Sequence, residues 1–235
     1  MSRFGGGGAV AMPVLALTIN ASQTTIYNIA TAAGVAVATR IVLTLNPSFK
    51  VRGITTGSLP AGSELLFINK GVVYGLGGAG GLGAGGTNGS NGAAAFIQSS
   101  SSGLVLFEIN NAAGYIFGGG GGGKGAGGGG GGGGAGNGPG GAGTGGTAGS
   151  GHAGQVPTWT GATWTNLSNA GGRGGMTILG GLLEVAPQLG HNGTDWGTAG
   201  LSGDGTPGKA IELNGGVSPT WLSGNVAARV KGAVS

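Results

Sequence analysis

The chain has 235 residues, of which 64 are glycine and none is cysteine, and ten basic and six acidic side chains give a net charge of +4. The lack of cysteine excludes disulfides and thiolate metal sites. The basic residues are scattered, and only Arg173 begins an Arg-Gly-Gly box, so nucleic-acid binding is not predicted. No signal-peptide core and no run of roughly 20 apolar residues occurs, so neither signal-dependent export nor membrane insertion is expected.

Residues 14 to 74 are rich in valine, isoleucine, leucine and threonine and predict a small all-β domain. Asn69-Lys70-Gly71 indicates a hairpin turn between the last two strands. A core of about 60 residues is near the lower limit of stability, so we expect this domain to pack against another part of the chain or another subunit. The predicted strands are Val14 to Ile19, Thr24 to Ile29, Val35 to Leu45, Phe49 to Ile54, Glu64 to Ile68 and Val72 to Tyr74.

From residue 75 onward, residues other than glycine recur with a period of three, as in Leu76, Ala79 and Leu82, and the densest glycine block is Gly118 to Gly154. A three-residue period is that of the polyproline II helix, which has no internal hydrogen bonds. Because glycine lacks a Cβ, such segments can approach closely and bond to one another, which predicts a bundle of polyglycine II helices. The alternative is a disordered tract. It is disfavoured because 39% of the chain is hydrophobic and only 7% is charged.

A weak repeat links strands to glycine blocks. Leu65 to Tyr74 resembles Leu104 to Phe117, Ala210 to Val217 is a third copy, and each lies beside a glycine-rich segment. This alternation predicts a layered solenoid whose units cannot bury their faces alone. The predicted fold is therefore mainly β plus polyglycine II with almost no α-helix. Its predicted parts are a β-rich attachment domain at 1–74, a glycine-rich domain with recognition loops at 75–209, and a C-terminal β segment at 210–235 that packs back on the bundle.

Two loops between glycine blocks, 155–169 and 184–197, combine tryptophan with short polar residues, a composition typical of recognition. Tryptophan offers a rigid apolar face and one N–H donor, which suits sugar rings and protein anchors alike. The alternative is that these rings plug the sides of the bundle; both remain open, and His191 and Asp195 favour recognition at Trp196. The predicted receptor-binding residues are Trp159, Thr160, Trp164, Asn166, His191, Asn192, Asp195 and Trp196.

Several motifs match catalytic or nucleotide-binding patterns by spelling alone. Residues 75–80 fit G-x-G-x-x-G, but glycine follows where a helix is needed, and in residues 203–210 Ala210 replaces the Ser or Thr of a phosphate-binding loop. The histidines, His152 and His191, have no partner at metal-ligand spacing. Asp195 and Asp204 share a loop, but proximity in sequence does not supply the fixed separation that acid–base catalysis needs. No enzymatic activity, cofactor or metal is expected.

Two segments carry a resemblance to a known family. The stretch from Gly57 to Gly81 looks like the strand-to-glycine junction of glycine-rich phage tail proteins. The stretch from Gly208 to Val234, with its Ala-Ile, Trp-Leu and final Gly-Ala-Val, looks like their closing segment. The chain thus resembles bacteriophage tail-fibre and tail-tip adhesins that contain polyglycine II domains. No counterpart of their fibre-attachment domain is found, and residues 1–74 stand in its place.

The resemblance implies a virion protein, made in the host cytoplasm, that recognises the bacterial surface. In such adhesins, glycine helices form a rigid sandwich whose loops bind an outer-membrane protein or lipopolysaccharide. Carried over, loops 155–169 and 184–197 would be the recognition tips and residues 1–74 would dock on another tail or fibre protein. The copy number, single or homotrimeric, stays open.

Two other functions fit a glycine scaffold. A purely structural virion component would share it without binding cells. An ice-binding protein could use hydroxyl rows, hinted at by Thr144, Thr147 and Thr163, but apolar β segments fill too much of the chain to favour this use.

Overall fold

The structure is a computed structural model that describes residues 11–83, 85–126, 130–143, 153–168, 170–173 and 190–235. Within them lie one short helix, α1 (Ile29–Ala33), and a series of mostly short strands. In chain order the strands are β1 (Val14–Ile19), β2 (Tyr27–Asn28), β3 (Arg40–Leu45), β4 (Lys50–Arg52), β5 (Ile54–Thr55), β6 (Ser63–Asn69), β7 (Val72–Tyr74), β8 (Phe96–Ile97), β9 (Leu104–Asn110), β10 (Tyr115–Phe117), β11 (Thr158–Trp159), β12 (Trp164–Thr165), β13 (Ile211–Glu212), β14 (Thr220–Ser223) and β15 (Val230–Lys231). The predicted fold class, mainly β with almost no α-helix, is confirmed.

All of these strands except β11 and β12 form three parallel sheets that share one interior. Sheet A has the order β1-β3-β6-β9-β14, sheet B has β4-β7-β10-β15, and sheet C has β2-β5-β8-β13. Successive strands of the chain pass from A to B to C and pair with the equivalent strands one turn later, as β6 pairs with β9 and β7 with β10. This topology is a parallel β-solenoid of five stacked coils in the described residues. Coil 1 contains β1 and β2, coil 2 contains β3 to β5, coil 3 contains β6 to β8, coil 4 contains β9, β10 and β13, and coil 5 contains β14 and β15. Strands from both sides of residue 74, and from residues 210–235, extend the same sheets.

Alternation of side chains builds the solenoid core. In β6 the buried positions are every second residue, and Leu65 and Phe67 point inward. Rings from different strands meet there: Phe96 stacks on Phe107 with 5.0 Å between ring centroids, and Phe67 lies 5.8 Å from Phe96. Such aromatic pairs add to the burial energy of each ring. The core therefore joins coils 3 and 4 through sheets A and C.

The predicted hairpin at Asn69-Lys70-Gly71 is wrong. The strands that flank it, β6 and β7, lie in different sheets, so these residues turn a corner of the solenoid. The buried Asn69 side chain satisfies that corner: its Nδ2 donates to Asn111 Oδ1 at 2.8 Å and to the Tyr115 carbonyl at 3.1 Å. Its Oδ1 accepts from the Gly71 amide at 3.2 Å. The strand partners come from neighbouring coils rather than from the adjacent segment.

The predicted strand from Thr24 to Ile29 is also partly wrong, as is the start of the next one at Val35. Helix α1 occupies residues 29–33 because the Asn28 side chain caps its first turn, accepting from the Thr31 amide at 3.0 Å. Gly34 then ends it in the left-handed conformation, with φ 59°. The following strand begins only at Arg40.

The glycine lobe, which comprises the described parts of residues 75–93, 118–154 and 169–209, leaves the solenoid between sheets B and C. Its hydrogen bonds repeat every third residue. Residues 75–81 donate to residues 117–123 through the pairs Gly75–Phe117, Gly78–Gly120 and Gly81–Gly123. The same segment donates in another direction through Gly77–Gly136, Gly80–Pro139 and Gly83–Ala142. A three-residue period of backbone bonding is what packed polyglycine II helices require, and that conformation stays a prediction.

The lobe requires glycine because neighbouring backbone segments lie too close together to leave room for a Cβ. A Cβ added at Gly122 would overlap the backbone of Ala79, and one added at Gly121 would overlap Gly205. The third position of the period carries the side chains instead, and Leu76 and Leu82 are exposed there. The lobe therefore packs backbone against backbone.

Candidate recognition site

The tryptophan hairpin, defined here as residues 155–168, contains the antiparallel strand pair of the described structure. β11 pairs with β12 through Thr158–Thr165 and Trp159–Trp164. The Thr160 amide donates to the Thr163 carbonyl at 3.0 Å across a two-residue turn. Gly161 takes φ 92° at the first central position, where a type II′ turn requires glycine. Loop 155–169 thus folds as a tight hairpin, with Asn169 outside the described residues.

Trp159 and Trp164 face each other across this hairpin. Their ring centroids are 5.3 Å apart with planes tilted by 60°, and both side chains are half-buried. Thr160 is exposed beside them, and its hydroxyl donates to the Thr163 carbonyl at 3.0 Å. The structure therefore places three predicted site residues together at an accessible tip.

Cations of the solenoid hold the base of the hairpin. Lys50 Nζ donates to the Pro157 carbonyl at 2.7 Å, and Lys231 Nζ donates to the Leu167 carbonyl. Burial lowers the pKa of Lys50. Asn166, with φ 58°, closes the other side: its Nδ2 donates to the Val156 carbonyl at 3.0 Å. The hairpin is thereby fixed to sheet B.

Trp196 lies in a second buried cluster, separate from the solenoid core, rather than on the surface. Its side chain is fully buried, 5.6 Å from the Phe117 ring and 6.1 Å from the Tyr74 ring, and its Nε1 donates to the Asn166 carbonyl at 2.9 Å. Asp195, another predicted site residue, bonds to the backbone: its Oδ1 accepts from the Trp196 amide at 2.8 Å. Of the two interpretations given for Trp196, the structure matches the plugging one, where the ring joins sheet B, the glycine lobe and the hairpin.

A groove of about 450 Å³ opens beside the Trp159–Trp164 pair. Its other wall comes from the corners between sheets A and B and includes Tyr115, Lys70 and Arg229. The Arg229 guanidinium lies 5.3 Å from the centre of the Tyr115 ring, within cation–π range. The sequence analysis missed these three residues because they belong to different coils and meet the hairpin only in the folded chain.

His191 and Asn192 lie apart from the hairpin, at an open cavity of about 520 Å³ that Leu201 and Asp204 also line. His191 Nδ1 is 2.8 Å from Asp204 Oδ1. The Asp204 carboxylate is almost fully buried and also accepts from the amides of Lys124, at 2.8 Å, and Leu201, at 2.6 Å. Loop 184–197 is thus described only from residue 190 onward, and its predicted residues divide between this cavity and the buried cluster around Trp196.

Other predicted positions, His152, Thr144 and Thr147, lie outside the described residues. Among the described residues, no group of three His, Asp or Glu side chains could hold a metal ion. In the same part of the chain, no helix is long and apolar enough to cross a membrane.

Fold and site together define a β-solenoid binding protein with a glycine-packed lobe and an aromatic surface. Residues 8–234 match the family model described as phage tail fibre adhesin Gp38, and the chain therefore belongs to that family. The structure is similar to the crystal structure of the gp37-gp38 adhesin tip complex of the bacteriophage S16 long tail fibre. The TM-score is 0.58 and the identity 20%, over 95% of this chain and 82% of that one. No curated protein matches.

Membership makes the chain a tail fibre adhesin of a phage virion, a protein that recognises the bacterial host. The function and location implied by the resemblance are confirmed. The family match begins at residue 8, so residues 14–74 lie within it, while the assignment of residues 1–74 as an attachment domain stays a prediction. The low identity to the S16 structure supports a shared fold and no more.

Proposed function

We propose that this adhesin recognises its host through the tryptophan hairpin and attaches to its fibre through the first coil of the solenoid. The observation that carries the first part is the half-exposed Trp159–Trp164 pair on a hairpin whose base is tied to the solenoid. The contacts of Lys50, Lys231 and the buried Trp196 hold that hairpin before any ligand arrives. Less ordering entropy is therefore lost on binding. The ligand is an exposed component of the bacterial surface.

Adhesion of this kind requires no catalysis. The two loop carboxylates already serve the backbone: Asp195 accepts from the Trp196 amide, and Asp204 accepts from the amides of Lys124 and Leu201. Carboxylates committed to several amides are held as fixed acceptors, which suits a structural role. We therefore propose a binding protein without enzymatic activity.

The attachment surface is the open end of coil 1. Val14, at the start of β1, and Val37, which follows the strands of this coil, are each more than half exposed, and no strand of the described structure pairs with the outer edge of β1. Exposed apolar residues beside an unpaired strand edge suit stacking by another β-rich protein. The similar S16 structure is a complex with gp37. The partner proposed here is the tail fibre protein of the same phage.

Host recognition is tested by binding of fluorescently labelled protein to a panel of bacterial strains. The variant Trp159→Ala/Trp164→Ala should lose strain-selective binding while keeping its thermal unfolding temperature. Leu201→Ala is the matched control, because Leu201 is 71% exposed beside the His191 cavity. If Leu201→Ala loses binding and the double variant keeps it, recognition belongs to the His191 cavity instead.

Attachment is tested by co-purification with the fibre protein. Val14→Glu/Val37→Glu places two charges on the coil 1 end and should abolish co-purification without affecting cell binding. Leu222→Glu places a charge on β14, at the opposite end of sheet A, where the side chain is 52% exposed. Loss of the complex with Leu222→Glu alone would assign attachment to the opposite end.

A further inference from the structure

We infer that the groove beside the tryptophan hairpin binds a phosphorylated bacterial surface glycan, with a sugar ring against Trp159 and Trp164 and the phosphate on Arg229 and Lys70. This inference rests on the proposed function, because it names the ligand class of the same site. Its support comes from the residues that form the two walls of the groove, from the lack of ion pairs at Arg229 and Lys70 in the described residues, and from the volume of the groove.

The hairpin wall supplies the surface for a sugar ring. The Trp159 and Trp164 rings are held at a 60° tilt, so together they form an angled apolar surface that keeps part of its area accessible. Tryptophan combines such a surface with one N–H donor, which fits the mixed apolar and hydroxyl character of a sugar. Exposed threonine hydroxyls at Thr160 and Thr163 border the same surface. One wall is thus apolar in its centre and polar at its rim.

The opposite wall supplies positive charge that the protein itself does not neutralise. Arg229 Nη1 donates to the Gly114 carbonyl at 3.3 Å, which fixes the guanidinium beside Tyr115 and leaves its other donors without a partner in the described residues. Lys70 is exposed and makes no ion pair there. No described carboxylate lines the groove. Two free cations on one wall therefore favour an anionic ligand.

Phosphate fits this pair of cations better than a neutral or singly charged group. Arginine binds phosphate through parallel N–H donors, and lysine adds a point charge to the same oxygens. The volume of about 450 Å³ is within the range of pockets for small ligands, so it holds a short saccharide rather than a folded protein loop. Phosphorylated sugars of lipopolysaccharide combine the required ring and charge.

The test uses the full-length protein and lipopolysaccharide purified from every strain of the cell panel, each in native form and after removal of phosphate with hydrofluoric acid. Outer-membrane proteins from the same strains serve as the competing ligand class. We expect native lipopolysaccharide of the bound strains to bind, and dephosphorylated material to bind about tenfold more weakly or less. High salt should weaken the native interaction.

Variants locate the binding in the groove. Arg229→Gln/Lys70→Gln should weaken binding of native lipopolysaccharide by about tenfold or more and should scarcely change binding of the dephosphorylated form. Arg173→Gln/Lys209→Gln is the matched control, because it removes the same two charges at residues that do not line the groove. Arg229→Lys keeps the charge but loses the planar donor pair, so we expect intermediate affinity. Thermal unfolding verifies that each variant is folded.

The outcomes separate this inference from the proposed function. Strain-selective cell binding combined with binding of outer-membrane protein, and none of lipopolysaccharide, overturns the inference and leaves the adhesin site intact. Equal binding of native and dephosphorylated forms also overturns it. Loss of binding in the control variant shows a general charge effect and equally counts against the groove. If cells are bound through the hairpin and the groove variants alone lose native lipopolysaccharide, the inference holds.

Discussion

The solenoid and the glycine lobe are two opposite ways of burying backbone in one chain. The solenoid pairs parallel strands and fills its interior with large side chains such as Phe67 and Phe107. The lobe bonds backbone to backbone with a period of three and leaves no room for a Cβ at Gly122. Removing atoms should therefore destabilise the first region, whereas adding atoms should destabilise the second.

This difference is also consistent with the proposed place of recognition. A lobe packed mainly through its backbone has few side chains to offer a ligand, and the solenoid commits most of its large residues to the core. The tryptophan hairpin lies between the two and depends on both: Lys50 of the solenoid and Trp196 of the lobe each bond to it. The proposed recognition residues thus lie where the two packing modes meet.

The largest effect is expected in the solenoid core. Phe107→Ala removes a fully buried ring stacked on Phe96, which should lower the free energy of unfolding by about 3–5 kcal/mol. Val105→Ala is the control, since Val105 lies on the same strand but is 59% exposed, and should cost less than about 0.5 kcal/mol. Urea unfolding followed by circular dichroism measures both. Equal costs would mean that the ring stack does not hold the coils.

The lobe should respond to the opposite change. Gly122→Ala adds one methyl group that overlaps the Ala79 backbone, so segments must separate at a cost of about 1–3 kcal/mol. In the same lobe, Leu82→Ala removes a half-exposed side chain and should be nearly neutral. Urea unfolding of the two variants measures both changes in the free energy of unfolding. A neutral Gly122→Ala would mean that close approach is not what stabilises the lobe.

The sequence predicted the layered organisation because the repeat is local. Leu65 to Tyr74 covers most of β6 and all of β7, and Leu104 to Phe117 covers β9 and β10. β6 pairs with β9 and β7 pairs with β10, so the two segments are equivalent turns of the solenoid. The third copy does not occupy an equivalent position, because Ile211 pairs in sheet C whereas β6 and β9 lie in sheet A. A two-residue strand carries too little pattern to show which sheet it joins.

The site was predicted only in part. Trp159, Trp164 and Thr160 form one accessible tip, since hairpin partners are close in sequence. Arg229 lies far along the chain, and no local pattern indicates that the last coil brings it beside the hairpin. Trp196 shows the converse error, because polar neighbours in sequence do not reveal that a ring points inward.

A smaller effect is expected where the two regions join. Trp196→Phe keeps an aromatic ring but leaves the Asn166 carbonyl without its indole donor, at a cost of about 1–2 kcal/mol. Hydrogen exchange of the hairpin amides should accelerate more than that of the solenoid strands. Trp221→Phe, in the terminal strand β14, serves as the control and should leave hairpin exchange unchanged. Uniform acceleration throughout the chain would mean that the hairpin has no anchor of its own.

Tyr74 lies in this junction beside Trp196. Its ionisation changes the free energy of unfolding only at alkaline pH, so the effect expected at neutral pH is the smallest of the series. Burial raises the pKa of Tyr74 above its ordinary value of 10.0, although Arg52 opposes the shift. The unfolded chain therefore loses this proton at lower pH than the folded chain does. The folded state binds more protons above about pH 10, and stability falls as the pH rises.

Tyr74→Phe has no hydroxyl to ionise, so it should lose less stability than the parent protein between about pH 9 and pH 11. Tyr27→Phe provides the comparison within sheet C, because burial also raises the pKa of Tyr27. Urea unfolding across this range is followed by tryptophan fluorescence, which reports mainly on the hairpin and the junction because three of the four tryptophans lie there. If only Tyr27→Phe keeps more stability than the parent protein at alkaline pH, the solenoid unfolds first. If only Tyr74→Phe keeps more stability than the parent protein, the junction unfolds first, and the base of the tryptophan hairpin unfolds with it.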